Sequence, residues 1–176
     1  MGKKCKEIWQ KCSELIIDLL YPLTELAVKP RTYRKEARKM YLKTAQKKSK
    51  TKKEIRKAIR KQLSYLRRNI STIHNLLDTL PTIPLNKNQY KYLLVIQTLY
   101  EQQKYLFDNN IHSVEHRIVS IHQPHVRPIV RGKANANVEF GAKINVSIMN
   151  GYSFLEDLSW DVFNEGNRLM STIEKH

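Results

Sequence analysis

Between Ile55 and Leu80, eight aliphatic residues recur in steps of four and three: Ile55, Ile59, Leu63, Leu66, Ile70, Ile73, Leu77 and Leu80. A mean step near 3.5 kept up over some 26 residues is a coiled-coil-like seam. At a rise of 1.5 Å per residue it predicts a rod of about 40 Å. Thr51 and Glu54 stand at capping-box spacing at its start, and Pro81 and Pro84 close it. A rod with one apolar face needs something to pack on. Tyr92, Leu93, Ile96, Leu99, Tyr100, Gln103, Leu106 and Phe107 supply an answering stripe, with Asn86 or Asn88 as its cap. Residues 51–108 are therefore expected to fold back as an antiparallel helical hairpin.

Two shorter helices are expected before it. Ile8, Cys12, Leu15, Ile16, Leu19 and Leu20 lie at helical spacing, so Lys3 to Leu20 reads as one amphipathic helix ended by Pro22. From Thr32 to Gln46, Tyr33, Ala37, Met40 and Tyr41 share one side, and Arg34, Lys35, Arg38, Lys39 and Lys43 surround the other. KKSKTKK, residues 47–53, is too polar to pack and reads as an exposed turn.

Charge is distributed very unevenly. The chain holds 32 Lys and Arg against 16 acids, a net of +16. Lys29 to Arg68 contains 18 of those bases and two acids, Glu36 and Glu54, so the remainder is neutral. A charged helix face is ordinarily a solvated surface laced with i,i+4 ion pairs. Here the acids for such pairs are missing, and the field left over attracts polyanions. The expected contacts to a DNA duplex are Arg34, Lys35, Arg38, Lys39, Lys52, Lys53, Arg56, Lys57, Arg60, Lys61, Arg67 and Arg68. Cations placed this way read phosphate charge and not base sequence.

Other chemistries find little support. Cys5 and Cys12 are seven apart, too far for a C-x-x-C site, and read as small apolar side chains in a reducing compartment. His112, His116, His122 and His125 cluster along the chain without an HExxH motif or a cysteine beside them, which favours surface histidines over a metal site. Ser120, His122 and the scattered acids make no triad, and there is no glycine-rich phosphate loop. No apolar run reaches the length of a membrane span. Met1-Gly2 is followed by Lys6 where a myristoylation signal has Ser or Thr. A cytoplasmic protein without membrane contact is the expectation.

Past Arg117 the periodicity changes. Phe140, Ala142, Ile144, Val146 and Ile148 occupy alternate positions, so Val138 to Met149 reads as a strand. Asn150-Gly151 supplies a type I′ turn. A return strand would then set Met149 opposite Tyr152, Ser147 opposite Phe154, Lys143 opposite Leu158 and Gly141 opposite Trp160. Such a hairpin, at 138–160, is apolar on both faces and calls for cover on both sides. A terminal helix at 164–176, carrying Leu169, Met170 and Ile173, is expected to cover one of them. Gln123 to Asn137 reads as a loop.

That region also carries the most specific wording in the chain. Val119-Ser120, Gln123-Pro124-x-Val126, Ile129-x-Arg131-Gly132-Lys133 and Glu139-Phe140-Gly141-x-Lys143, preceded by KPRTYRKEARKMYL and TKKEIRKAIRKQLSYLRRN, closely resemble a block in bacterial insertion-sequence DDE transposases. The resemblance runs from about Lys29 to Asn167. It implies part of an RNase H-like catalytic domain with a long helical insertion, in an enzyme that cuts and joins transposon-end DNA with Mg²⁺ held by carboxylates. It also implies that Arg131, Lys133 and Lys143 hold DNA near that site, the other reading of these cations being a loop tethered to Glu139 by an ion pair. The three catalytic acids of the family have no matching positions here. Asp157, Asp161 and Glu165 stand on the hairpin and its exit and are read as ordinary surface acids.

The expectation is thus an α+β chain, predominantly helical. Residues 1–114 form a helical insertion whose basic helices span 29–68, and residues 115–176 form part of an RNase H-like sheet. As an internal fragment of a transposase it would bind transposon-end DNA, with self-association as a further partnership. It would have no catalytic residues, metal site or cofactor of its own, Mg²⁺ being implied for the full-length family. The alternative is a stand-alone basic helical-hairpin module that binds nucleic acid or a protein partner, with the strands as a dimerisation element.

Overall fold

The computed structural model describes residues 2–133, 136–161, 163–164 and 166–174. The chain is α+β, about 54% helix, with two small antiparallel β hairpins. It divides into two compact units, Met1–Glu115 and His116–His176.

The first unit is helical. Helix α1 spans Gly2–Ser13 and continues as a π-helical segment over Glu14–Leu20, closed by a 3₁₀ turn at Tyr21–Leu23 that contains Pro22. The wider turn departs from the single α-helix that the spacing predicts. It brings Leu15, Ile16 and Leu20 into the core together with Ile8, Trp9 and Cys12. Helix α2 covers Arg34–Ala45, α3 Lys52–Asp78 and α4 Lys87–Asp108. Both long helices open on reciprocal caps. Thr51 Oγ1 accepts from the Glu54 backbone N–H at 3.2 Å while Glu54 Oε2 accepts from that of Thr51 at 2.9 Å. Asn86 and Gln89 repeat the arrangement, with both bonds at 2.9 Å.

Helices α3 and α4 form the expected antiparallel pair. Arg56, near the start of α3, lies over the Phe107 ring near the end of α4 (4.3 Å) and donates to Asn110 Oδ1 at 3.2 Å. Further along, His74 in the last turns of α3 is hydrogen-bonded to Gln97 at the middle of α4. The buried seam differs from the aliphatic string in the sequence. On α3 the residues out of solvent are Gln62, Leu63, Leu66, Asn69, Ile73 and Leu76, while Ile55 is exposed. The reason is that α3 packs on more than one neighbour. It meets α2 and the π-helical segment as well as α4, so the buried face is wider than a two-helix seam and takes in two amides. Gln62 Nε2 donates to the Ala37 carbonyl at 3.1 Å, tying α2 to α3. Beside it Trp9 meets Tyr41 edge-on at 6.2 Å.

The second unit corrects the reading of its strands. The alternating stretch from Val138 to Met149 is two strands, β2 (Ala136–Gly141) and β3 (Lys143–Met149), and each belongs to a different hairpin. β2 pairs with β1 (Arg127–Lys133), which lies within the Gln123 to Asn137 segment read as a loop. Pro128 is tolerated there because a two-stranded ribbon has only edge strands, where a missing N–H leaves no ladder bond broken. Gly141 consequently faces Arg127 and not Trp160. β3 pairs with β4 (Tyr152–Ser159) across Asn150 and Gly151, both at positive φ as the turn requires. Met149 faces Tyr152 and Ser147 faces Phe154 as expected. A bulge at Glu156 then shifts the register by one, so Lys143 faces Ser159 and not Leu158.

Helix α5 (Gly166–Ile173) docks on this hairpin through polar groups: Asn145 Nδ2 donates to Thr172 Oγ1 at 3.2 Å and Arg168 pairs with Asp157. Leu169, Met170 and Ile173, expected to cover the strands, are exposed. The opposite hairpin face, Ile144, Val146, Ile148, Leu155 and Leu158, is also open, with Ile148 at 74%. The two-sided cover expected of an apolar hairpin is absent among the described residues.

Asn69 gives the test of the helical core. It is 1% exposed, and neither amide atom has a hydrogen-bond partner among the described residues. A buried unsatisfied amide costs about 1–3 kcal/mol, more than an apolar side chain of similar size. Asn69→Leu is therefore expected to raise the melting temperature followed by circular dichroism. A lower melting temperature would show that the amide is held by a partner.

Candidate nucleic-acid interface

The cap of α3 determines which cations on this face stay available. Glu54 is one of only two acids between Lys29 and Arg68, and its carboxylate is fully used at the helix start. It accepts from Lys47, from the Thr51 backbone N–H and from the Thr51 hydroxyl. The hydrogen bond from Lys47, followed by those from Thr51, pulls its pKa from 4.5 to about 2. An acid occupied in this way does not neutralise the helix downstream.

All twelve cations expected on α2 and α3 are exposed: Arg34, Lys35, Arg38 and Lys39 on the first, and Lys52, Lys53, Arg56, Lys57, Arg60, Lys61, Arg67 and Arg68 on the second. On α3, Lys53, Lys57, Arg60 and Arg67 advance by four, three and seven residues and so follow one side of the helix. At 1.5 Å per residue that stripe is about 21 Å long. Helices α2 and α3 pack together, with the Tyr65 hydroxyl 3.2 Å from Met40 Sδ at their contact, so both sets of cations belong to one unit.

Two of the arginines have aromatic neighbours. Arg56 lies over Phe107 and donates to Asn110. The Arg68 guanidinium lies 4.5 Å from the Tyr33 ring centroid and 5.9 Å from that of Tyr65, with the two rings 6.1 Å apart. The sequence places Tyr33 with the apolar side of α2. Its role beside Arg68 has no sequence signal, since it depends on how α2 meets α3.

The cations of the second unit are placed differently. Lys143 is half-buried, with Nζ donating to the Phe163 carbonyl at 2.5 Å and lying 4.7 Å from the Phe163 ring. It fastens β3 to the chain leading into α5 and is not displayed like the helical cations. The side chains of Arg131 and Lys133 lie outside the described residues.

The remaining polar residues do not converge. His116 Nδ1 is 3.7 Å from Asp161 Oδ1, and His125 meets Trp160 edge-on at 4.4 Å. Asp157 is paired with Arg168, and Glu165 lies outside the described residues. Among the described residues no group of His, Cys, Asp and Glu has the arrangement of a metal site, and no helix is long and apolar enough to cross a membrane. The Cys12 thiol is fully buried, which raises its pKa to about 12 and keeps it a thiol. The Cys5 side chain lies outside the described residues.

Comparison with known proteins finds no matching family model, no matching curated protein and no matching solved structure.

The depressed Glu54 pKa predicts an acid-sensitive helix start. A lowered folded-state pKa contributes stability that is present above the ordinary value of 4.5 and lost as pH falls through about 2. Helix content should decline over that window, and Glu54→Gln should remove this component. An unchanged acid profile in the variant would rule out Glu54 as its origin.

Proposed function

We propose that this chain is the DNA-holding portion of a DDE-type insertion-sequence transposase, gripping duplex DNA by its phosphates through α2 and α3. The observation that carries the reading is the exposure of all twelve cations on those helices, in a 40-residue segment whose net charge equals that of the whole chain. The wording shared with the transposases supports the parent activity, DNA cleavage and strand transfer, and an RNase H-like origin for the two hairpins. The ligand is double-stranded DNA, transposon ends in the parent family.

The Mg²⁺ that this family uses does not fit the described residues. Asp157 is tied to Arg168 and Asp161 faces His116, and the described residues offer no converging acid set. No catalytic step is assigned to the described residues, and the role proposed for the chain is DNA binding.

A second reading is a stand-alone basic helical module. It is favoured by the compactness of Met1–Glu115 and by that unit's own buried core, from Ile8 and Trp9 through Leu106.

The first reading requires affinity for duplex DNA and ties it to transposition, whereas the second is met by nucleic acid or by a protein partner. The chain should bind mixed-sequence duplex DNA at low salt with affinity falling steeply as salt rises. Arg60→Ala, Lys61→Ala and Arg67→Ala should each reduce the slope of log K against log salt by about 1, measured by fluorescence anisotropy. With Mg²⁺ and transposon-end DNA the chain should neither nick nor join. Nicking would overturn the assignment as a non-catalytic binder, and salt-independent binding would overturn the phosphate interface.

A further inference from the structure

Tyr33 is an unusual residue at the start of α2. It is the N-cap, makes no side-chain capping bond, and has φ 53° and ψ 22° in the left-handed region. Three other described non-glycine residues have positive φ: Asn110, His116 and Asn150. Asn and His are the side chains that adopt this region most readily, whereas a bulky ring is rarely found there. A backbone of this kind persists only where its surroundings over-determine it, and such places cluster at binding sites. The surroundings here are Tyr65, tilted against Tyr33, and the Arg68 guanidinium stacked over the Tyr33 ring.

The same contact fixes Arg68. Arg34, Arg38, Arg60 and Arg67 have no described aromatic ring beside them, whereas a guanidinium resting on an aromatic ring keeps its plane and its fork of donors. Arg56 is also stacked, yet its Nη1 already donates to Asn110. Arg68 is exposed, and no acceptor or acid is paired with its guanidinium among the described residues. A planar donor fork without an acceptor, oriented in advance and set among cations, matches the two non-bridging oxygens of one phosphodiester.

We infer that Arg68, oriented by Tyr33 and Tyr65, is the bidentate phosphate anchor of the α2–α3 face, the position that fixes where the backbone of a bound nucleic acid sits. The inference rests on the nucleic-acid reading above and assigns one residue a role that the field of the other cations does not supply. Tyr33 and Tyr65 are positioning residues that act through Arg68.

The test uses the full chain and a mixed-sequence duplex, with affinity measured over a range of salt. Arg68→Lys keeps the charge and loses the fork, so affinity should fall by about three- to tenfold with the salt slope unchanged. Arg60→Lys, at a position without a described aromatic neighbour, should stay within about twofold. Tyr33→Leu should weaken binding as Arg68→Lys does, and the double variant should be no weaker than either alone. A merely structural role for Tyr33 would add to the effect of Arg68→Lys. Because Arg68→Lys is an exposed, charge-conserving change, it tests the anchor whether or not Tyr33→Leu folds. Equal losses for Arg68→Lys and Arg60→Lys, with wild-type binding intact, would overturn the anchor alone. Failure of the wild-type chain to bind at low salt would overturn the nucleic-acid reading, and the anchor with it.

Discussion

Like-charge repulsion along α3 is the constraint that the helical unit has to meet. Lys52 and Arg56, Lys53 and Lys57, Arg56 and Arg60, and Lys57 and Lys61 are all i,i+4 pairs of the same sign. Each destabilises a helix by about 0.2–0.5 kcal/mol, so the four together oppose it by about 1–2 kcal/mol. Burial on the other side opposes them. Leu63, Leu66, Ile73 and Leu76 are all within 8% of full burial, and at about 1.5–3 kcal/mol each they outweigh the repulsion several-fold. The first turn, where two of these pairs begin, has little of that burial. There the reciprocal bonds of Thr51 and Glu54, reinforced by Lys47, hold the end of the rod. A face of uncompensated cations therefore requires a helix packed on several neighbours, and the first helix together with α2 and α4 provides them.

The parts of this arrangement governed by local chemistry were legible in the residues. Thr51 with Glu54 and the Asn150-Gly151 turn are each decided within a few positions of one another, and the fold realises both; the stripes on α3 and α4 foretold the antiparallel pair though not all of its buried members. Of the two candidate caps of α4, Asn86 is the one that Gln89 reciprocates. What stayed hidden depends on a third body. Gln62 and Asn69 continue a buried string, 62, 66, 69, 73 and 76, that hydrophobicity alone cannot reveal, since two of its five members are amides. The exposure of the cations could be anticipated from their number, but the pairing of Tyr33 with Arg68 could not, because it arises where two separately encoded helices meet.

The β unit illustrates the same limit more sharply. Period-two alternation from Val138 to Met149 is real, yet it does not reveal which strand each half pairs with, and the halves belong to different hairpins. Alternation also does not indicate which face will be covered. Asn145, Asp157 and Lys143 draw α5 and its approach onto the polar side through Thr172, Arg168 and the Phe163 carbonyl. The aliphatic side, with Ile144, Val146, Ile148, Leu155 and Leu158, stays open. Hydrogen bonds and an ion pair have thus oriented a short helix against the preference of its own Leu169, Met170 and Ile173. Two-stranded ribbons of this size are marginal unless a hydrophobic face is covered. The covalent turn at Asn150-Gly151 and the polar clasp are what define this one.

The two units differ in what their surfaces can recognise. The helical face offers cations far in excess of the acids beside them, and charge alone attracts any polyanion to any register along it. Affinity of that kind is strong at low salt and carries little positional information. A guanidinium placed over the Tyr33 ring, 4.5 Å from its centroid, differs from the surrounding lysines because its planar fork would donate to a phosphate in a set orientation. Rotational freedom surrendered during folding does not have to be surrendered again on binding. The left-handed backbone at Tyr33 is the structural mark of that prior ordering. It converts one cation of a diffuse field into a fixed point against which the others align.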